Sequence, residues 1–307
     1  MVEYQAYSFK AMGSTISLQA DLDVKKASKV FNKVEQCFRE VEKIASRFDE
    51  QSELSFVNAN LNMTVNVSHD LSDMLKDAYY AYQITDGSFD PRIIKSLQGL
   101  GYVDTFKDNV WTKVKVKPFV IREEWSPIIE DGRVFVGGNP VDLGGVGKSY
   151  TAWKASLILG EHCENFFVNA GGDIVFSGHA PEGTEWTVGV DNPYMRESDA
   201  PLAILGVKDA CVATSSVAKH SWDADGKKYH HIINPKTGLP ADAGVTAVTV
   251  VHNDVITAEI WSKSLFFETN EEIEHLAGNL KLPVLWFTDD SKMHYNEYMK
   301  PYIRWTI

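Results

Sequence analysis

Residues 258–265 read AEIWSKSL and set a carboxylate, Glu259, four positions before an ammonium, Lys263. On a helix that spacing stacks the two side chains on one face, and glutamate before lysine is the favourable order for an exposed ion pair. By spacing alone this is a surface salt bridge. Four other stretches carry residue types suited to ligands. In VDLGGVGKSYTAW, residues 141–153, Asp142, Gly144, Gly145, Gly147 and Lys148 lie between a strand pattern and a helix pattern. Glycines at such a junction let backbone approach a ligand and turn free amides toward it. The spacing is neither a P-loop nor a dinucleotide fingerprint, so a tight turn and a phosphate-binding loop stand as equal readings. VNAGGDIVFSG, residues 168–178, reads most simply as a hairpin or bulge. In HHIINPKTGLPAD, residues 230–242, Asn234-Pro235 and Thr237-Gly238 force a turn behind His230 and His231, which lie in an apolar strand pattern and face opposite sides of it. A lone histidine there is more often structural, yet a near-neutral pKa beside a rigid turn suits an acid or base. In TDGSFDPRI, residues 85–93, Ser88, Phe89 and Asp90 precede a proline that holds the backbone extended; alone, Phe89 reads as core.

These segments need a scaffold. Apolar residues at helical spacing predict a long helix over 24–45; Ser68 as cap and TDG as stop bound a second over about 70–84, and a third runs from near Gly147 to Gly160. AEIWSKSLFF begins a fourth, and Asn270 caps a fifth. Strand patterns fall at TISLQAD, RVFVGG, NFFVNA, DIVFSG, EWTVGV, LAILGV, CVATSS, TAVTVV and PVLWFT. Long helices with clustered strands, without regular alternation, predict an α+β fold with mixed sheets. One compact domain over residues 1–307, with room for two lobes, is the expected organisation.

Composition narrows the partners. The 307 residues carry a net charge of −12 and no basic stripe, which argues against nucleic acid. No run of about twenty apolar residues predicts a membrane span. The start lacks the charged and apolar regions of a leader, so a cytoplasmic protein is expected unless a leader has been removed. Cys37, Cys163 and Cys211 give neither a disulfide framework nor metal-ligand spacing; Cys37 and Cys211 read as buried thiols.

Taken together, and in this order along the chain, the segments resemble the ApbE family of FAD:protein FMN transferases: FKAMGST, SRFDEQSELSFVN, TDGSFDP, VDLGGVGKSY, VNAGGDI, ATSS, HIINPKTGLPA, and VTVV followed by the AEIWSKSLF helix. The resemblance spans nearly the whole chain. It implies an ApbE-like fold and a Mg²⁺-assisted reaction that splits FAD and attaches FMN, through its phosphate, to a threonine of an acceptor flavoprotein. By position it implies FAD contacts at Met12, Phe48, Ser88, Phe89, Asp90, Asp142, Lys148, Ile233 and Thr237. It implies metal contacts at Gly145, Glu259 and Ser262 and a catalytic role for His231 as activator of the acceptor hydroxyl; Lys263, which departs from the family, is a candidate catalytic residue through its charge.

The sequence also departs from the family pattern, above all on the AEIWSKSL helix. There the family carries an aspartate and, four residues on, a threonine, both binding Mg²⁺; this chain has Glu259 and Lys263. Mg²⁺ takes octahedral oxygen ligands at about 2.1 Å, and an ammonium has no lone pair to offer. The family's DPRTG is NPKTG here, with Asn234 for a carboxylate and Lys236 for an arginine. Three readings follow: a transferase with a shifted metal seat, an enzyme in which Lys263 replaces part of the metal's charge, and an FAD-binding protein with little catalysis. Hydrolysis of FAD to FMN and AMP is the alternative reaction. A generic flavin oxidoreductase lacks a dinucleotide fingerprint to support it.

Overall fold

The computed structural model describes residues 4–102, 117–194, 200–218, 221–224 and 227–306. Its helices are α1 (Val24–Ala45), α2 (Glu53–Ala59), α3 (His69–Ile84), α4 (Ile94–Gly99), α5 (Gly147–Gly160), α6 (Val255–Ser264) and α7 (Asn270–Asn279). With the sheets below they make the α+β architecture that the patterning predicts. Backbone contacts divide the chain into two units, Met1–Glu42 with Lys148–Ser216 and Gly244–Ile307, and Lys43–Gly147 with Val217–Ala243.

The first unit is built on an eight-stranded sheet. Its strands, taken across the sheet, are Gln5–Ala11, Ser14–Ala20, Phe166–Ala170, Asp173–Ser177, Cys211–Ser216, Val245–His252, Val284–Thr288 and Met293–Tyr295, every neighbour antiparallel. Strand order follows chain order, so connections need not cross within the sheet. The amphipathic face of α1 (Val30, Phe31, Val34 and Phe38) packs with Ala152, Ala155 and Leu159 of α5 on Ile16, Leu18, Phe166 and Val168. Each large apolar side chain so buried contributes about 1.5–3 kcal/mol. Farther along, Ile174, Phe176, Val251, Leu285 and Phe287 join residues of a three-stranded sheet formed by Trp186–Val190, Ala203–Val207 and Ile303–Thr306.

The second unit holds α2, α3 and α4, a small sheet of Val65–Asn66, Arg133–Phe135 and Ile128–Glu130, and two short hairpins. Ser52 caps α2 and Ser68 caps α3, each hydroxyl accepting a backbone N–H from the first turn.

Two helix starts differ from expectation. α6 begins at Val255, because the Asp254 carboxylate accepts the Thr257 N–H and opens the helix three residues before AEIWSKSL. α7 is capped by Thr269 rather than Asn270, in a reciprocal capping box with Glu272.

Among the described residues no helix is long and apolar enough to cross a membrane. Burial pushes the Cys163 and Cys211 thiols up to about 12, with Asp21 adding to the effect on Cys163 and Asp254 on Cys211, and Cys37 is buried within α1. Thiolates are the reactive form. Iodoacetamide at pH 8 is therefore expected to leave all three unlabelled in the folded protein and to label all three in denaturant, as read by intact mass.

Candidate functional site

In the first unit two turns and two helices carry the candidate residues. The turn between the first two strands holds Met12 at φ 51° and Gly13 at φ 68°. A non-glycine residue in the left-handed region is uncommon. Met12 is held there by its N–H, which donates to Glu42 Oε1 at 2.6 Å. Beside it runs the turn of Gly171, at φ 73°, where an added Cβ would lie 2.7 Å from Ser14 Oγ. The left-handed backbone and the Ser14 side chain together leave room only for glycine at Gly171. The hairpin reading of VNAGGDI is correct for the backbone, and the hairpin also delivers Asp173.

Asp173 is 2% exposed, and among the described residues no donor reaches its Oδ2. The Lys148 ammonium on the first turn of α5 lies 4.0 Å from it, beyond hydrogen-bond range. A buried acceptor left open costs about 1–3 kcal/mol, so this arrangement is retained at a cost to stability.

α6 packs on the strands Cys211–Ser216 and Val245–His252. Glu259 is 2% exposed and Ser262 fully buried, contrary to the surface salt bridge that spacing suggests. The Lys263 ammonium donates to Glu259 Oε1. The Ser262 hydroxyl lies 3.1 Å from Glu259 Oε2 and 3.0 Å from the Glu259 carbonyl oxygen, and 2.8 Å from Ser215 Oγ. Both Glu259 oxygens only accept, so Ser262 donates to Glu259 and Ser215 donates to Ser262. Ser215 was legible only as part of ATSS; its link to α6 depends on the tertiary fold. On the other face of the same strand Thr214 pairs with Thr249 at 2.9 Å.

This donor set does not fit a magnesium seat on α6. One carboxylate oxygen carries an ammonium and the other a hydroxyl donor, whereas Mg²⁺ takes oxygen lone pairs in near-octahedral array. Among the described residues no three His, Cys, Asp or Glu side chains converge as a metal-binding group.

The second unit gathers the other candidates. Arg47, for which no local spacing signals a role, pairs with Asp142 at 2.6 Å with both side chains nearly buried. Its guanidinium lies 4.1 Å from the centre of the Phe48 ring and 4.8 Å from that of Tyr102. Tyr102 stacks on Trp222 at 5.5 Å, and Trp222 on Tyr229 at 6.5 Å. The result is a row of aromatic rings ending at Phe48, which is 39% exposed. Only Phe48 was legible within a motif. Asp142 Oδ1 accepts the Gly144 N–H at 2.6 Å, folding the glycine loop that contains the half-buried Gly145. The Asp142 N–H donates to Pro91 O at 2.7 Å, tying that loop to TDGSFDP.

Within TDGSFDP, Asp90 grips Arg92 with both oxygens, Nη2 to Oδ2 at 2.8 Å and Nε to Oδ1 at 3.0 Å. Ser88 is half-buried, and its N–H donates to Thr85 O at 3.0 Å. Phe89 is 8% exposed, as the core reading has it. Ile233 is 3% exposed and packs with Leu97, Leu100 and Trp222.

The NPKTG turn closes on Asn234. Its side-chain oxygen accepts the Lys236 N–H at 2.9 Å and its carbonyl oxygen accepts the Gly238 N–H at 2.8 Å. The amide thus serves the turn without a carboxylate. Gly238, at φ 67°, has no room for a Cβ, which would lie 2.4 Å from Phe119 O. Thr237 is exposed, and its hydroxyl accepts the Leu239 N–H at 3.3 Å. The strand Lys227–His230 ends one residue before the half-buried His231, which lies in the following bend rather than in the strand. His230 Nε2 is 3.1 Å from Ala241 O and donates to it, a structural bond.

A sequence model of the ApbE family matches residues 12–286. An FAD:protein FMN transferase of Chlamydia pneumoniae is 28% identical over 257 residues, covering 77% of this chain and 76% of the relative. One of Klebsiella pneumoniae strain 342 is 27% identical over 276 residues, covering 87% and 84%. In fold, the chain is similar to an ApbE protein of Thermotoga maritima, with TM-score 0.84 and 24% identity over 99% of this chain and 100% of that one. It is also similar to the flavin transferase ApbE of Vibrio cholerae, with TM-score 0.80 and 23% identity over 98% and 99%. With a match running from the Met12 turn to the strand beyond α7, the chain belongs to the ApbE family.

Proposed function

We propose that this protein is an FAD:protein FMN transferase. The observation that carries the reading is the kinship, over most of both chains, with transferases of that name in Chlamydia pneumoniae and Klebsiella pneumoniae. The local geometry supports it. Phe48 offers an exposed ring to adenine or flavin, and Met12 offers a soft apolar surface for the same purpose. Lys148 brings a point charge suited to phosphate. Asp142, Asp90, Ser88 and Thr237 hold the loops that meet FAD, and Phe89 and Ile233, both buried, contribute apolar surface to the same role. Gly145 contributes backbone.

In the reaction the hydroxyl oxygen of an acceptor threonine attacks the FMN phosphorus of FAD, and a new P–O bond forms. The bond from that phosphorus to the bridging oxygen breaks, and AMP leaves with that oxygen. The hydroxyl proton passes to His231, whose neutral imidazole is the base, and from there to solvent. The partner is an acceptor flavoprotein bearing that threonine. Mg²⁺ is the family's usual aid and supplies charge neutralisation at phosphate when bound; no step is assigned to it here, because the α6 donors do not fit it.

Purified protein given FAD and a threonine-bearing acceptor peptide is expected to release AMP one-for-one with peptide-bound flavin, followed by chromatography. Free FMN equal to AMP would instead identify a hydrolase. FAD that stays bound and intact in every condition would leave a binding protein and overturn the proposal.

A further inference from the structure

Four residues in the first unit form one connected polar chain: Ser215, Ser262, Glu259 and Lys263. The first three are buried, at 7%, 0% and 2% exposure. Only Lys263, whose side chain is 20% exposed, reaches solvent. The chain is rooted in the core and leads outward to the Lys263 ammonium.

Two bland readings account poorly for this. An exposed i, i+4 pair needs no buried carboxylate and no serine relay behind it. A stability device is also a poor account, because a buried ion pair is commonly matched or bettered by apolar residues of similar volume. Here three polar side chains serve to hold one lysine in one place. Lys263 is also in the last turn of α6, where the helix dipole favours a cation. The site is built for a positive charge, and the charge is already covalently present.

We propose that the Lys263 ammonium is the resident cation of α6, so that an anionic phosphate ligand is met there by this lysine and not by a divalent ion. Resting on the transferase reading, that ligand is the pyrophosphate of FAD. A divalent ion at Glu259 must either displace Lys263 or sit against it, and like charges that close repel strongly in a part-buried site. The ammonium offers N–H donors to non-bridging phosphate oxygens and offsets charge as they gain it, without any metal bond. Lys263 is therefore a charge-stabilising residue in contact with substrate, and Glu259, Ser262 and Ser215 are positioning residues behind it.

The test uses Mn²⁺ as the probe, titrated into the protein alone and into its FAD complex, with the free-ion EPR signal followed and FAD alone as control. Wild-type protein is expected to remove no more signal than the control up to about 1 mM Mn²⁺, too weak for a resident site. Lys263→Thr exchanges the cation for an oxygen and is expected to bind Mn²⁺ at least about tenfold more tightly than wild type. Wild-type binding that disappears in Glu259→Gln overturns the proposal, as does equal binding by wild type and Lys263→Thr. Should Lys263→Thr fail to fold, the wild-type titration and a chelator assay decide. AMP release from FAD unchanged by EDTA supports the lysine; release abolished by EDTA and restored by Mg²⁺ overturns it. Absence of AMP release in every condition counts against the transferase reading, and the Mn²⁺ titration then still judges the cation proposal by itself.

Discussion

His231→Ala is expected to slow FMN transfer by about 10²–10⁴-fold, the usual contribution of a positioned general base, and to leave FAD affinity nearly unchanged. The two adjacent histidines separate on physical grounds. His230 spends Nε2 on the carbonyl oxygen of Ala241 and so braces the segment that leads into the NPKTG turn. His231 lies just past the strand end, beside a turn made rigid by Asn234, Pro235 and Gly238, where a base keeps a constant position. Transfer rates on a threonine peptide, with FAD affinity from flavin fluorescence, check this. A large loss of FAD affinity would make His231 a binding residue, and an unchanged rate would place the base elsewhere. His230→Ala should show the opposite pattern, a lower Tm with the proton-transfer step intact.

Lys263→Met is expected to destabilise the fold by about 3 kcal/mol, the low end for breaking a buried ion pair, since the lysine itself is a fifth exposed. The cost arises at Glu259, which is 2% exposed and keeps only the Ser262 hydroxyl when the ammonium goes. The double variant Glu259→Leu/Lys263→Met should regain most of that stability, because an apolar pair of similar volume leaves no charge unpaired. Its transfer activity should stay low, since the charge that meets the phosphate is absent. Urea unfolding of the single and double variants measures the coupling directly. Additive stability losses would mean that the two side chains do not act as a pair. Full activity in the stable double variant would mean that the pair has no part in the chemistry.

The sequence made some elements plain and hid others, for reasons that can be named. α1 and α3 carry an apolar stripe over four or more turns, α5 is marked instead by a glycine at each end, and the bounds of all three were legible to within a residue. α2 and α4, seven and six residues long, are too short to display a period. The strand Gln5–Ala11 alternates in burial, but only Phe9 and Ala11 at its end are fully buried, and Gln5 and Ala6 at its start invert the usual polar-out order. For α6 the cap Asp254 lies outside the motif that drew attention, which hid the first turn. The candidate site divides in the same way. Local turn chemistry such as NPKTG and GGD is written in adjacent residues. The Arg47–Asp142 pair, the ring row from Phe48 to Tyr229 and the Ser215–Ser262 bond join residues far apart in the chain, and no local spacing encodes them. The i, i+4 spacing of Glu259 and Lys263 correctly gave their pairing. It could not reveal that the carboxylate is buried, and burial turns an ordinary surface pair into a fixed cation site.

The most direct measurement is the intact mass of an acceptor flavoprotein after incubation with this protein and FAD, with AMP quantified in the same sample. The account predicts a gain of one FMN less one water on a single threonine, matched by one AMP, and no gain when that threonine is replaced by alanine. An acceptor of unchanged mass alongside intact FAD, or alongside free FMN and AMP, would contradict it.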